Sequence, residues 1–197
     1  MQTLKRILAF ILILCAFIVL GIVINFLWGE LDPPAYPYPY SDLVEQYAKE
    51  YEIPEEILYA VIKVESDFDP SATSSVGALG LMQMMPKTFE WLTGDEHLGE
   101  HLPINSLYQP NVSIRYGAYY LRYLYKKFDR NWNTVLAAYN GGEGNVAKWL
   151  KDPAYSDGKG NLIFIPFDET RSYVSKVNEA IEIYQNNYDE QKKGTKS

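Results

Sequence analysis

The sequence predicts a mainly α-helical fold, one compact helical domain carried behind a single N-terminal transmembrane helix. Three observations predict it. Apolar residues recur at helical spacing through most of the chain from Ser41 to Tyr188, an apolar run broken only by Gly21 and Asn25 fills Ile7 to Trp28, and no internal repeat divides the remainder. At 197 residues the chain accommodates one domain of ordinary size and an appendage.

The appendage comes first. Lys5 and Arg6 precede the apolar run and Glu30 and Asp32 follow it, so residues 1–29 are expected to form a short cytoplasmic N-terminus and a membrane anchor. The protein is then single-pass, in the cell membrane, with its folded domain on the extracytoplasmic side. The alternative is a cleaved signal peptide, against which stand the length of the run and the lack of a small-x-small cleavage site. Cys15 lies within the run behind Leu14, too large for a lipoprotein signal, so neither a lipid anchor nor a disulfide is expected. Residues 30–40 include PPAYPYPY, whose alternating prolines favour polyproline II and read as a stiff linker.

A formal net charge of −7 makes nucleic acid a poor partner, because its phosphates reward clustered Lys and Arg. Aromatic residues make up 15% of the chain, enough to stack on sugar faces as well as to fill a core.

The domain is expected over residues 41–188. Ser41 is the expected N-cap of a helix with Leu43, Val44, Tyr47, Ala48 and Tyr51 on one face, and Glu52-Ile53-Pro54 breaks it. PEEILYAVIKVES then forms a second helix: Pro54 suits its start, Glu55 and Glu56 suit the positive end of the dipole, and Ile57, Leu58, Val61 and Ile62 make the buried stripe. Pro86 opens a short helix that Gly94 stops. From Asn111 to Phe128 the apolar positions keep helical spacing over what is expected to be the longest helix. Asn131 or Asn133 caps the next helix, through Tyr139, and NGGEGN forces a turn before Val146–Leu150. In 155–165 the DGKG turn followed by Leu162-Ile-Phe-Ile165 predicts a small β-hairpin. The last helix runs from about Glu169 to Tyr188, and residues 189–197 form a polar, disordered tail.

One residue is out of place in this pattern. Glu65 lies four residues after Val61 and eight after Ile57, so it continues the apolar stripe of its helix. A carboxyl near the negative end of a helix dipole and against apolar neighbours holds its proton more tightly than a free Glu, as a general acid must. The structural alternative is a Glu paired with a buried Arg or Lys. Gly77 and Gly80 allow tight turns in the segment that follows, and Gln83, Met84 and Met85 are placed to wall in Glu65.

Four motifs in order, Glu65-Ser66, Ser74 through Val76-Gly77-Ala78 to Gly80-Leu81-Met82-Gln83, Ala138-Tyr139-Asn140, and Glu169-Thr170-Arg171-Ser172-Tyr173-Val174, are similar to those of a known family. From about Ser41 to Tyr188 the chain resembles the lytic transglycosylase catalytic domain of the goose-lysozyme-like superfamily, glycoside hydrolase family 23. It departs after Asn140, where Gly141-Gly142-Glu143-Gly144 replaces the usual Ala-Gly-Pro-Gly and puts the rigidity of that loop in doubt.

The resemblance implies a lysozyme-like helical domain that binds peptidoglycan glycan strands. It implies cleavage of the β-1,4 bond between N-acetylmuramic acid and N-acetylglucosamine, closing a 1,6-anhydro ring without water. Glu65 would act as acid and then as base, with Tyr173 orienting it by a hydrogen bond. Ser74, Gln83, Met85, Tyr139 and Asn140 would bind the glycan. Neither a metal nor another cofactor is implied, and membership of a larger envelope complex stays open. Tyr139 and Tyr173 also fit a second description, as core tyrosines on apolar faces.

Three other functional readings are weighed. A second carboxylate, Asp67 or Asp69, would make the protein a water-using, lysozyme-like muramidase, but beside Pro70 these residues fit a turn better. A non-catalytic glycan-binding envelope module would be marked by loss of Glu65, which is present. His97-Leu98-Gly99-Glu100-His101 satisfies the inverted zinc-protease pattern, yet Gly99 interrupts the helix that such a site requires, and no third His exists. Both histidines are read as solvated loop residues.

Overall fold

The structure, a computed structural model, describes residues 18–20 and 36–194, with side chains as far as Asn187. It divides into two units, Met1–Pro37 and Tyr38–Ser197. In the first unit Ile18, Val19 and Leu20 are helical and exposed. The rest of the expected span, Ile7–Trp28, lies outside the described residues, and among the described residues no helix is long and apolar enough to cross a membrane. The transmembrane helix is therefore withdrawn from the description of the fold.

The second unit is helical. Its elements are α1 (Ser41–Tyr51), α2 (Glu55–Ser66), α3 (Pro86–Thr93), a 3-10 turn (Ile104–Tyr108), α4 (Pro110–Lys127), α5 (Trp132–Gly141), α6 (Glu143–Trp149) and α7 (Asp168–Gly194). Helix α2 packs along α7, α1 along α4, and α5 bridges α4, α6 and α7. The longest element is α7, of 27 residues against 18 for α4. It continues past Asp189, where the sequence reading placed a tail, and presents Tyr173, Val174, Val177, Ala180 and Tyr184 to the core.

Local chemistry explains most boundaries. Asn131, rather than Asn133, caps α5 by accepting the Thr134 N–H at 3.1 Å, and Pro86 and Pro110 occupy first turns where a missing N–H costs nothing. Ser41 does not cap α1. Tyr40 holds the cap position in the left-handed region (φ 59°) and Ser41 begins the helix. The expected stripe of α2 proves too narrow, because every residue from Ile57 to Ile62 is buried. Its Tyr59 face is covered by aromatic rings, Tyr184 stacking at 5.3 Å and Tyr38 meeting it edge-on at 5.0 Å.

The hairpin expected over 155–165 is corrected. What forms is one isolated bridge between Ser156 and Leu162, and no strand exists among the described residues. Asp157 turns its carboxylate back on the Lys159 and Asn161 N–H groups at 2.8 and 3.1 Å and so closes the turn. Beyond the turn Ile163 and Phe164 are 62% and 47% exposed, Phe164 meeting the Tyr155 ring and the Arg171 guanidinium, and two short segments so thinly covered do not sustain a sheet alone. Two further isolated bridges, Thr73 with Leu79 and Leu79 with Met84, fold residues 73–84 back on themselves beside the end of α2.

Candidate active site

Glu65 occupies the last turn of α2, half-buried, one residue before the helix ends at Ser66. Burial pushes its carboxyl up to about 7, against a smaller lowering by Tyr173. No Lys or Arg is among these causes, so the ion-pair account of a buried Glu does not describe this one. Two phenols complete the centre: Tyr139 from α5 and Tyr173 from α7 have enclosed hydroxyl ends, raised well above the ordinary tyrosine range first by burial and then by the nearby Glu65 charge. The Tyr173 hydroxyl makes no hydrogen bond of normal geometry, although it stands close enough to Glu65 for each to shift the other. The Tyr139 hydroxyl donates to the Met82 carbonyl at 2.8 Å.

The wall beside Glu65 is residues 73–85, and its backbone is held at several points. Ser66, next to the acid, donates from Oγ to the Ile62 carbonyl at 3.2 Å and to the Leu81 carbonyl at 2.9 Å, tying the end of α2 to the wall. The Met82 N–H donates to buried Ser113 Oγ on α4 at 3.1 Å, and the Met82 side chain fills the space that a Cβ on Gly117 would occupy. Gly80 sits at φ +72°, and a Cβ there would lie 2.0 Å from the Leu107 carbonyl oxygen, so the turn accepts only glycine.

Of the expected glycan-binding residues, Ser74 and Gln83 are partly engaged with the wall itself. Ser74 Oγ accepts the Ala78 N–H at 2.9 Å, while Gln83, at φ 42°, donates through Nε2 to the carbonyls of Ala72 (3.1 Å) and Gly80 (2.9 Å). Each keeps capacity for a ligand, a hydroxyl hydrogen on Ser74 and an amide oxygen on Gln83. Met85 is 41% exposed at the end of the wall. Asn140 is exposed near the end of α5 and lines an open cavity of about 500 Å³ with Gly141, Pro166, Phe167 and Thr170. Glu65, Tyr139, Tyr173 and the wall therefore share one centre, and Asn140 lies on the surface one residue beyond Tyr139.

The other candidates have separate employment. Asp69 accepts from Ser71 N–H and Oγ at 2.8 and 2.7 Å, bonds that hold its carboxyl below the usual range, and Asp67 pairs with Lys63 at 2.5 Å. Neither is among the groups acting on Glu65. His97 is not a solvated loop residue. Its ring lies 4.0 Å from that of Trp91 and its Nδ1 meets the Tyr119 hydroxyl at 3.0 Å, whereas exposed His101 pairs with Asp95 at 2.8 Å. Sequence reasoning missed the holding roles of Ser66, Met82 and Ser113. For Ser66 a signal existed, since it adjoins Glu65 in the quoted motif; Ser113 is an ordinary helical serine by sequence, and Met82 bonds through backbone groups that every residue has and packs its side chain on a Gly117 far off in the chain.

Comparison with known proteins agrees with this geometry. Residues 42–161 match the family model described as the transglycosylase SLT domain. The chain is 37% identical over 152 residues to the soluble lytic murein transglycosylase of Escherichia coli K12, covering 77% of this chain and 23% of that one. Membrane-bound lytic murein transglycosylase C of Edwardsiella ictaluri is 27% identical, with 82% of this chain and 50% of that protein covered. The crystal structure of the 70 kDa soluble lytic transglycosylase of E. coli superposes with a TM-score of 0.70 at 35% identity, covering 78% of this chain and 25% of that one, and its complex with bulgecin A gives a TM-score of 0.71. The chain thus spans about a quarter of these soluble relatives, and within that quarter lie the helix of Glu65, the wall and Tyr139. On the match over residues 42–161 and the fold they share, this chain belongs to the transglycosylase SLT domain family.

Proposed function

We propose that the protein is a peptidoglycan lytic transglycosylase of the bacterial cell envelope, cleaving the β-1,4 bond between N-acetylmuramic acid and N-acetylglucosamine and leaving a 1,6-anhydromuramoyl end. The observation that carries this reading is the solitary Glu65, half-buried and held near neutrality by desolvation, with two phenols beside it and no second carboxylate acting on it. The names of the relatives support the same activity.

Glu65 begins protonated and gives its proton to the bridging oxygen as the C1–O bond breaks. The resulting carboxylate then takes the proton of the muramoyl C6 hydroxyl, whose oxygen attacks C1 and closes the ring. No water is consumed, and Glu65 ends as it began. A hydrolytic glycosidase of the usual kind needs a second carboxylate to activate water or to bond C1; here the substrate's own hydroxyl is the nucleophile, and one carboxyl suffices. Ser74, Gln83, Met85, Tyr139 and Asn140 bind the glycan, and Tyr173 sets the carboxyl's position.

Mass spectrometry of a peptidoglycan digest tests the reading. The expected products carry anhydromuramoyl ends, about 18 Da lighter than hydrolysis products through the retained loss of water. Reducing ends as the main product would make the protein a muramidase, and the absence of any release would make it a glycan-binding module. Because a solved relative is a complex with bulgecin A, that compound is also expected to inhibit release.

A further inference from the structure

The departure after Asn140 has a structural counterpart on the neighbouring helix. Glu143 is the first residue of α6, after Gly142 at φ 86°, in the position where a proline ring would fix the backbone. Its carboxylate accepts from Lys127 Nζ at 2.9 Å, and Lys127 is the last residue of α4. The same Nζ donates to the Tyr123 hydroxyl at 3.1 Å and lies 5.3 Å from the centre of that ring. Tyr123 stacks on Tyr120 at 6.2 Å, and Tyr120 meets Tyr139 at 5.5 Å. One ammonium group thus joins both ends of the segment that carries Tyr139 and Asn140: Glu143 on the downstream side, and Tyr139 through two stacked tyrosines on the other.

Gly141 closes α5 and Gly142, at φ 86°, is the single residue that joins it to α6, so this short loop has more backbone freedom at Gly142 and Glu143 than the proline pattern would leave it. The loop keeps a few bonds of its own, Asn145 Nδ2 to the Gly141 carbonyl at 2.8 Å and the Asn145 and Val146 N–H groups to the Gly142 carbonyl at 3.1 and 3.2 Å. None of these reaches α4. The ion pair does, and its side chains are 37% and 32% exposed, accessible to salt yet not freely solvated. A pair this exposed contributes little to global stability, so its consequence is the placement of the segment.

We infer that Lys127 and Glu143 are positioning residues for the glycan-binding segment Tyr139–Asn140, fixing through an ion pair the loop that a proline would fix through its ring, and that glycan affinity therefore depends on ionic strength. The inference rests on the proposed function for its glycan readout, while its structural half can be read without any substrate.

The test uses the full chain and three variants: Glu143→Gln, the charge exchange Lys127→Glu with Glu143→Lys, and Glu143→Pro. KM and kcat for release from isolated glycan strands are measured at low and high salt, and amide hydrogen exchange of residues 140–146 is followed in the absence of substrate. Glu143→Gln is expected to raise KM about three- to tenfold with kcat within about twofold, and to speed exchange at Asn145 and Val146. Charge exchange restores both quantities. Glu143→Pro restores both and removes the salt dependence of KM, since raising salt from about 0.1 M to 1 M shortens the screening length from about 10 Å to about 3 Å and a ring is indifferent to it. Unchanged KM and exchange in Glu143→Gln would overturn the inference. So would a higher KM that neither the exchange nor proline corrects, which would make Glu143 a direct substrate contact. If the wild-type chain releases nothing from glycan, the proposed function fails, and unchanged hydrogen exchange in Glu143→Gln would still overturn the positioning claim separately.

Discussion

Glu65 and Glu100 are the two glutamates that sequence motifs nominate for chemistry, one in the Glu-Ser pair of a transglycosylase and one in an inverted zinc-protease pattern. Each lies beside tyrosine, and their environments drive them apart. For Glu100 burial pushes upward, but a 2.7 Å bond from Arg115, a 2.9 Å bond from the Tyr116 hydroxyl and the guanidinium charge bring its carboxyl below the usual range. Glu65 has phenols and no guanidinium, so burial prevails and its carboxyl rises to about 7. What separates a carboxyl that holds its proton near neutrality from a structural anion here is one cation within hydrogen-bonding reach.

Replacing the acid is the strongest way to break the contrast. Glu65→Gln keeps the shape but cannot give and retake a proton, and turnover is expected to fall by at least about a hundredfold. Stability should move the other way. With its pKa raised from 4.5 to about 7 in the fold, Glu65 favours the folded state fully below about pH 4.5 and loses that contribution as pH rises through about 7. Above neutrality the buried carboxylate costs as much as about 3 kcal/mol, which Gln does not incur. Melting curves from pH 4 to 8 should show the variant gaining on the wild type across that window. A variant that retains turnover would remove Glu65 from the mechanism, and one that melts lower at pH 8 would restore the ion-pair account.

A smaller effect is expected at Tyr173. Its hydroxyl lowers the Glu65 pKa and, being buried without a normal hydrogen bond, gives the resting fold little. Tyr173→Phe should therefore shift the alkaline limb of the pH–rate profile upward and reduce kcat about tenfold, as expected for a group that orients an acid. Melting should stay level or rise by about 1 kcal/mol, because an unsatisfied buried polar atom has been removed. An unmoved alkaline limb would show that Tyr173 does not act on Glu65.

How much of this was legible differs between the two glutamates. Helical periodicity placed Glu65 on a buried face, and that inference needed only residues within two turns of one helix. The helices themselves followed from the same signal, and the Pro86 start from proline chemistry, while Pro110 opens the long helix one residue before the Asn111 start that periodicity predicts. What escaped the sequence depends on groups far apart in the chain. Ser66 meets Leu81, Ser113 meets Met82, and Lys127 meets Glu143; no local pattern announces these pairs. The DGKG sequence predicts the turn that forms, but whether Leu162–Ile165 becomes a strand depends on a packing partner that local propensity cannot reveal. Loop composition predicts a solvated His97, while the structure puts it against Trp91, Tyr119 and Tyr123.

Removing the cation from Glu100 would sharpen the contrast from the other side. Its depressed carboxyl contributes stability present above the unfolded pKa and lost as pH falls through the folded one. Arg115→Met should lower stability at pH 7 by about 1 kcal/mol, with the difference shrinking below about pH 4. Glycan cleavage should stay within about twofold, because Arg115 is tied to Glu100 and to Tyr51, at 3.3 Å, rather than to Glu65. A large loss of turnover with intact melting would mean that the Arg115–Glu100 pair reaches the active centre.

The smallest effect is expected where the rival motif would place a metal. A zinc protease site needs His97 and His101 to direct ring nitrogens at one ion and Glu100 to remain available as a base. In the fold the three side chains answer to different partners, His97 to Tyr119 and Trp91, His101 to Asp95, and Glu100 to Arg115 and Tyr116. Gathering them would break an aromatic cluster and an ion pair together. Release of anhydromuropeptides should therefore be unchanged by EDTA, and His97→Ala with His101→Ala should leave it within a few-fold. The two positions should differ in melting alone: His101→Ala, exposed, within about 0.5 kcal/mol, and His97→Ala lower by about 1 kcal/mol for its lost ring contacts. Activity abolished by the chelator and restored by zinc would reverse the roles assigned to the two glutamates, making Glu100 the reactive group and Glu65 the buried curiosity.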